Sequence, residues 1–280
     1  MATLGANRYG KTRVRVMKVV RHADHHAMKE WSVRVLLHGD FESCFTTGDN
    51  SKILPTDTMK NTVYWLARES SAETLEEFAL ELTDYLVANN PQVETATVEI
   101  DEKSWKQMIV DGNPHPTTYQ MTGPETQTTL IQRKRGEQPA ITSGVDGLVI
   151  LKTTHSEFTG YIKDKLTTLP ETTDRIFATR ATVAWEYSTL PASFQDAREV
   201  SLDALLSTFA KHHSLSVQHT LYDMGAAALE AVPEMAQIKL TMPNLHCLPV
   251  DLSRFGQTNP NMIFVPTDEP SGYIEAVITR

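Results

Sequence analysis

The chain is 280 residues long, 40% hydrophobic and 22% charged, which is the composition of a soluble globular protein with room for two modest domains or one large one. A formal net charge of -9 excludes the phosphate backbone of nucleic acid as the main partner, in spite of the basic runs Arg13 to Lys18 and Arg133-Lys134-Arg135. No apolar run reaches the roughly 20 residues a bilayer demands, so no membrane partner is expected.

Cys44 and Cys247 stand far apart without Cys-x-x-Cys spacing, no basic-then-apolar leader opens the chain, and Val277-Ile278-Thr279-Arg280 lacks the Ser-Lys-Leu peroxisomal address. A reducing cytoplasmic location is the expectation.

In chain order, Arg13 to Val20 alternates Val14, Val16 and Val20 against Arg13 and Arg15, and Ser32 to Leu37 alternates Val33, Val35 and Leu37. That period of two predicts two strands, paired as a hairpin around Arg21-His22-Ala23-Asp24-His25-His26. His22, His25 and His26 suit zinc by residue type, yet no carboxylate or cysteine completes a ligand spacing, and a solvated loop is the simpler reading.

In Leu54-Pro55-Thr56-Asp57-Thr58-Met59, Pro55 ends an extended segment and Asp57 or Thr58 can cap a helix. Met59, Val63 and Leu66 then recur at helical spacing, leaving a first turn whose free N-H groups face outward and attract an anion or a carbonyl. Ser70 and Glu73 have capping-box spacing for a second helix, which buries Leu75, Phe78, Ala79, Leu82 and Leu86 and stops at Asn89-Asn90-Pro91. Ala96, Val98 and Ile100 predict a strand, and Gln127 to Arg135 another after the turn residues Gly112, Pro114, Pro116, Gly123 and Pro124.

The turn-rich stretch Gly136 to Gly147 is the expected boundary, with one domain over residues 1-137 and a second over 138-280. Leu148 to Leu151 and Ile176 to Tyr187 predict strands. Leu202, Leu205, Leu206 and Phe209 mark one helix, and Leu221, Gly225, Ala228 and Val232 mark the next, ended by Pro233. Ile238, Leu240 and Met242 predict a strand, and Met262 to Val265 and Tyr273 to Ile278 the final pair, joined through Pro270-Ser271-Gly272. Both halves thus read strand, strand, helix, helix, strand, strand, each with one sheet face covered by helices and one left free.

Taken together, Tyr9-Gly10-Lys11, Pro55 to Tyr64, Leu151 to Phe158, Asp174-Arg175 and Pro243-Asn244-Leu245-His246 resemble the motifs of the urate oxidase (uricase) family along the whole chain. Leu166, where the family usually has an aromatic residue, and Cys247, where relatives often have a bulkier one, depart from the pattern. The resemblance implies an α+β tunnelling fold (T-fold) with two duplicated ββααββ domains, and a homotetramer whose antiparallel sheets close into barrels. It also implies an oxidoreductase of purine catabolism, without cofactor or metal, that converts urate and dioxygen to 5-hydroxyisourate and hydrogen peroxide.

Urate is a flat anion rich in carbonyls and ring N-H groups, so it needs a planar fork, an amide and a ring to stack on. Carried onto this sequence, the family pattern assigns these tasks to Arg175, Gln218 and Phe158, adds backbone hydrogen bonds at Val217 and at Thr56 to Asp57, and brings Thr56 in from a neighbouring chain. Lys11 is then the base, Thr56 the proton carrier, His246 the group that returns the proton, and Asn244 a holder of dioxygen or water. A lysine in water is protonated at neutral pH, so this role requires desolvation or crowding by Arg13 or Arg15. Asn244 and His246, two residues apart, project from one face if that segment is extended. The runner-up is a metal-dependent pterin or purine enzyme of the same fold, with His22, His25, His26 or Cys44 as ligands.

Overall fold

The computed structural model describes residues 2–280, which form two compact units, divided between Val145 and Asp146. In the first, β1 (Tyr9–Arg21), β2 (His26–Gly39), β3 (Val93–Val110) and β4 (Asn113–Lys134) pair antiparallel in sequence order. Between β2 and β3 lie a short helix, α1 (Glu42–Thr46), and two longer ones, α2 (Thr56–Glu69) and α3 (Leu75–Asn89). Val33, Val35 and Leu37 alternate onto the helix side and are fully buried there, with Met59 and Val63 of α2 and Phe78 and Leu82 of α3. Trp31 stacks on Phe78, with centroids 4.8 Å apart. The other face of this sheet is polar: Arg34 pairs with Glu99, and Glu30 receives Arg15 at 2.5 Å and Lys103 at 2.9 Å.

Several boundaries differ from the sequence expectation. The capping box is Thr74 with Glu77, not Ser70 with Glu73; Ser70 ends α2, and its hydroxyl accepts from Ala72 N at 3.0 Å. Of the residues expected to form a turn, only Gly112 does so, in the left-handed region at φ 81°. Pro114, Pro116, Gly123 and Pro124 lie within β4, where β3 and β4 form a long arm whose register shifts twice, between Lys103 and Trp105 and between Gln107 and Ile109. Prolines fit such irregular pairing because fewer ladder N-H groups are called for.

The strand β5 (Ala140–Lys152) carries the junction of the two units, which falls between Val145 and Asp146. The second unit contains β6 (Phe177–Tyr187), α4 (Phe194–Lys211), α5 (Val217–Ala231), β7 (Met235–Thr241), β8 (Asn244–Pro249), β9 (Phe264–Thr267) and β10 (Glu275–Thr279). β7 pairs with both β6 and β10, while β8 pairs with β6 and β9. The two last strands, which the sequence reading joins through Pro270-Ser271-Gly272, are therefore not partners. The helix α5 lies close over this sheet because Gly225 has no side chain: a Cβ there would sit 2.7 Å from Ile278 Cδ1. No helix among the described residues is long and apolar enough to cross a membrane.

Candidate active site

The residues singled out from sequence fall into two groups, one in each unit. In the first unit the organising feature is a bulge in β1. Lys11 pairs with Val35 but Val14 pairs with Val33, so Thr12 and Arg13 together oppose Arg34, with Arg13 in the left-handed region at φ 56°. Directly opposed residues share a face. Tyr9 and Lys11, opposite buried Leu37 and Val35, therefore lie on the helix side along with Val14 and Val16.

On that side Tyr9 ties down the entry to α2. Its hydroxyl donates to Leu54 O at 3.1 Å and accepts from Leu54 N at 2.9 Å, and its ring meets Phe41 edge-on. Burial pushes the phenol above its ordinary range, so it stays a neutral donor. The helix then begins at Thr56, ahead of both expected caps, Asp57 and Thr58. Pro55 is the N-cap and no side chain caps the turn, while Asp57 is a helical residue paired with Lys60 and accepting from Asn61 at 3.1 Å. Lys60 above all holds the Asp57 carboxyl below its ordinary range, and the positive charge of Lys11 adds to this. Arg15 does not crowd Lys11 as expected: it lies on the opposite face, paired with Glu30. Arg13 is exposed in the bulge.

In the second unit, His155 adopts φ 58° and turns the chain so that Ser156 bridges to Ser214 and Phe158 to Thr172. The N-H of Arg175 donates to Ser156 O at 2.8 Å, and Thr154 donates to the Asp174 carboxylate at 3.0 Å. These ties bring the Arg175 guanidinium to 5.3 Å from the Phe158 ring centre. Tyr161, a neighbour not anticipated from sequence, stacks on Phe158 with centroids 4.8 Å apart. Arg175 Nε is buried with no hydrogen-bond partner, and burial lowers the guanidinium from its ordinary value without discharging it.

The segment joined to Ser156 leads into α5. Ser216 is its N-cap, accepting from His219 N at 3.1 Å, so Val217 and Gln218 are the first two helical residues, as Thr56 and Asp57 are in α2. The N-H groups of these first positions have no partner inside a helix. Val217 is buried and Gln218 exposed. Asn244 and His246 sit two apart on β8, as expected of an extended segment, with Asn244 Nδ2 3.3 Å from His246 Nδ1. With Asn244 donating, the ring proton resides on Nε2. Arg175, Asn244, His246 and Cys247 line one cavity of about 540 Å³, together with Pro170, Pro249 and Phe264.

The histidines proposed as ligands in the runner-up reading make other contacts. His22 and His25 stack on each other at 4.5 Å, His25 pairs with Asp24 at 2.8 Å, and the Cys44 thiol lies 3.1 Å from Asn50 Oδ1.

The family model described as Uricase matches residues 7–132 and 141–275. The uricase of Arthrobacter globiformis is 42% identical over 277 residues, covering 99% of this chain and 90% of that protein. The uricase of Dictyostelium discoideum is 38% identical over 282 residues, covering 100% and 98%. Among solved structures, the uricase from Arthrobacter globiformis gives a TM-score of 0.94 at 40% identity, covering 100% of this chain and 96% of that one. A uricase from Bacillus fastidious shares the fold at a TM-score of 0.83 and 22% identity, covering 99% and 94%. The architecture is the T-fold, an antiparallel sheet with helices packed against it. Matched by the family model through both units and by these relatives over its full length, the chain belongs to the uricase family and is an oxidoreductase.

Proposed function

We propose that the chain oxidises urate with dioxygen, taking in one water and releasing 5-hydroxyisourate and hydrogen peroxide, with no cofactor. The observation that carries this reading is the charged Arg175 fork beside Phe158, its buried Nε unpaired, in the wall of the cavity that also holds Asn244 and His246. An aromatic face next to a desolvated fork suits a flat anion bearing carbonyls: the anion stacks on the Phe158 face that Tyr161 leaves free, and Arg175 binds one edge. Gln218 and the Val217 N-H at the start of α5 bind another edge.

The second set of groups is Thr56 and Asp57, which open α2, and Lys11 on the helix side of β1. In this reading they reach the pocket from a neighbouring chain of a homotetramer whose sheets close into barrels. Lys11 takes a proton through Thr56, and the more electron-rich urate passes electrons to dioxygen. Asn244 holds dioxygen and then water above the ring, and His246 returns the proton. The test is loss of urate absorbance by metal-stripped protein in air and under argon. Loss in air alone, with one peroxide per urate, is the expected result; loss under argon, or no loss in air, overturns the reading.

A further inference from the structure

Outside the proposed pocket, one side-chain cluster has no task in urate oxidation. His212, the residue that ends α4, points Nδ1 at Asp223 Oδ2 from 3.0 Å, and His219 points Nε2 at the same oxygen from 3.7 Å. His219 and Asp223 are one turn apart on α5 and share a face. The two imidazole rings meet at 65° with centroids 4.5 Å apart, and one potential ligand atom from each of the three side chains lies within 4.8 Å of the others.

We propose that His212, His219 and Asp223 bind a late first-row divalent cation, zinc foremost, which staples the end of α4 to the first turns of α5. Two neutral imidazoles and one carboxylate are the nitrogen and oxygen donors such an ion prefers, and three protein ligands leave a fourth position for water. The far nitrogens, His212 Nε2 and His219 Nδ1, are buried and have no hydrogen-bond partner. Without an ion the Asp223 carboxylate favours a proton on His212 Nδ1; an ion bound there requires the other neutral tautomer, with the proton on the unpartnered Nε2. Two imidazoles competing for one carboxylate oxygen leave this group under-satisfied without an ion. The nearby Lys152 ammonium is spent on the carbonyls of Phe209 and His212, which fixes the His212 backbone. Because His219 directly follows Gln218, the ion would anchor the helix start but would not enter the reaction.

The experiment is zinc titration of the chelator-stripped full chain, by calorimetry and by thermal melting. His219→Gln and Asp223→Asn are suitable variants because both side chains are partly exposed, at 41% and 35%. His22→Gln with His25→Gln serves as a control for adventitious binding at the exposed loop. The expected result is one zinc per chain and a raised melting temperature, with affinity lowered at least about tenfold by either cluster variant, since even outer-shell changes cost that much. The loop variant should bind like the parent. No stoichiometric binding by the parent, or binding lost only in the loop variant, overturns the proposal.

Discussion

The Arg175 guanidinium stands 5.3 Å from the centre of the Phe158 ring with its Nε buried and unpaired. A buried donor without a partner is costly, and a ligand that supplies acceptors removes the cost. Arg175→Ala is therefore expected to raise the KM for urate by about 10- to 100-fold, the worth of hydrogen bonds to a charged group. Arg175→Lys, which keeps charge but loses the planar fork, should recover little of this. Steady-state kinetics on urate decide the matter; an unchanged KM in both variants counts against Arg175 as the anchor.

Lys11 lies on the helix side of β1 and Thr56 opens α2, and the proposed reaction gives both to proton transfer. Lys11→Ala and Thr56→Ala are each expected to cut turnover by about 10²-fold or more while urate still binds. Turnover and equilibrium binding of a urate analogue, measured side by side, separate this from loss of the pocket. Parental turnover in both variants removes the relay.

Gly10 is set against the β2 backbone so closely that a Cβ would lie 1.8 Å from Val35 O. Gly10→Ala must push β1 and β2 apart beside Lys11, and a destabilisation of about 1–3 kcal/mol is expected for such overpacking. Denaturant unfolding gives the number, and activity should fall further than stability because Lys11 moves with its strand.

Glu30 supplies a prediction about acid. The Lys103 ammonium first, then the Trp105 indole N-H and the Arg15 guanidinium, hold its carboxyl below the ordinary 4.5, with burial opposing them. A carboxyl lowered by folding stabilises the native state above its unfolded value, and that contribution disappears as pH falls through the folded value. Glu30→Gln should thus be less stable near neutrality by about 1.5–3 kcal/mol and lose less stability than the parent on acidification below pH 4.5. Parallel stability curves for the two proteins between neutrality and pH 3, a range of about four units, contradict this.

If Thr56 serves a neighbouring chain's pocket, activity depends on assembly. Specific activity should fall on dilution below the assembly constant, as followed by light scattering on the same samples. A fully active isolated monomer refutes the shared pocket.

The sequence disclosed most of this architecture because long amphipathic elements carry their period openly: Val33, Val35 and Leu37, or Phe78, Leu82 and Leu86, lie where alternation and helical spacing put them. Local hydrogen bonds were harder to assign. Ser70 with Glu73 and Thr74 with Glu77 have the same spacing, and only the position of the first turn makes the second pair the box. The strand exchange at β8 and β9 depends on contacts between distant segments that no local pattern encodes. The face occupied by Lys11 was likewise hidden, since counting by twos from Val14 puts it with Arg13 and Arg15. The His212, His219 and Asp223 cluster spans a turn between helices, and only its one-turn half, His219 with Asp223, is visible in the sequence.

The extra residue in β1 acts as a phase shifter. Because of it Lys11 and Val14, three residues apart, face the same side; were the strand paired without a bulge while Thr12 remained, the Lys11 amine would swing to the far side of the sheet. A strand paired that way would keep every motif letter, yet the proposed base would be aimed at the wrong surface.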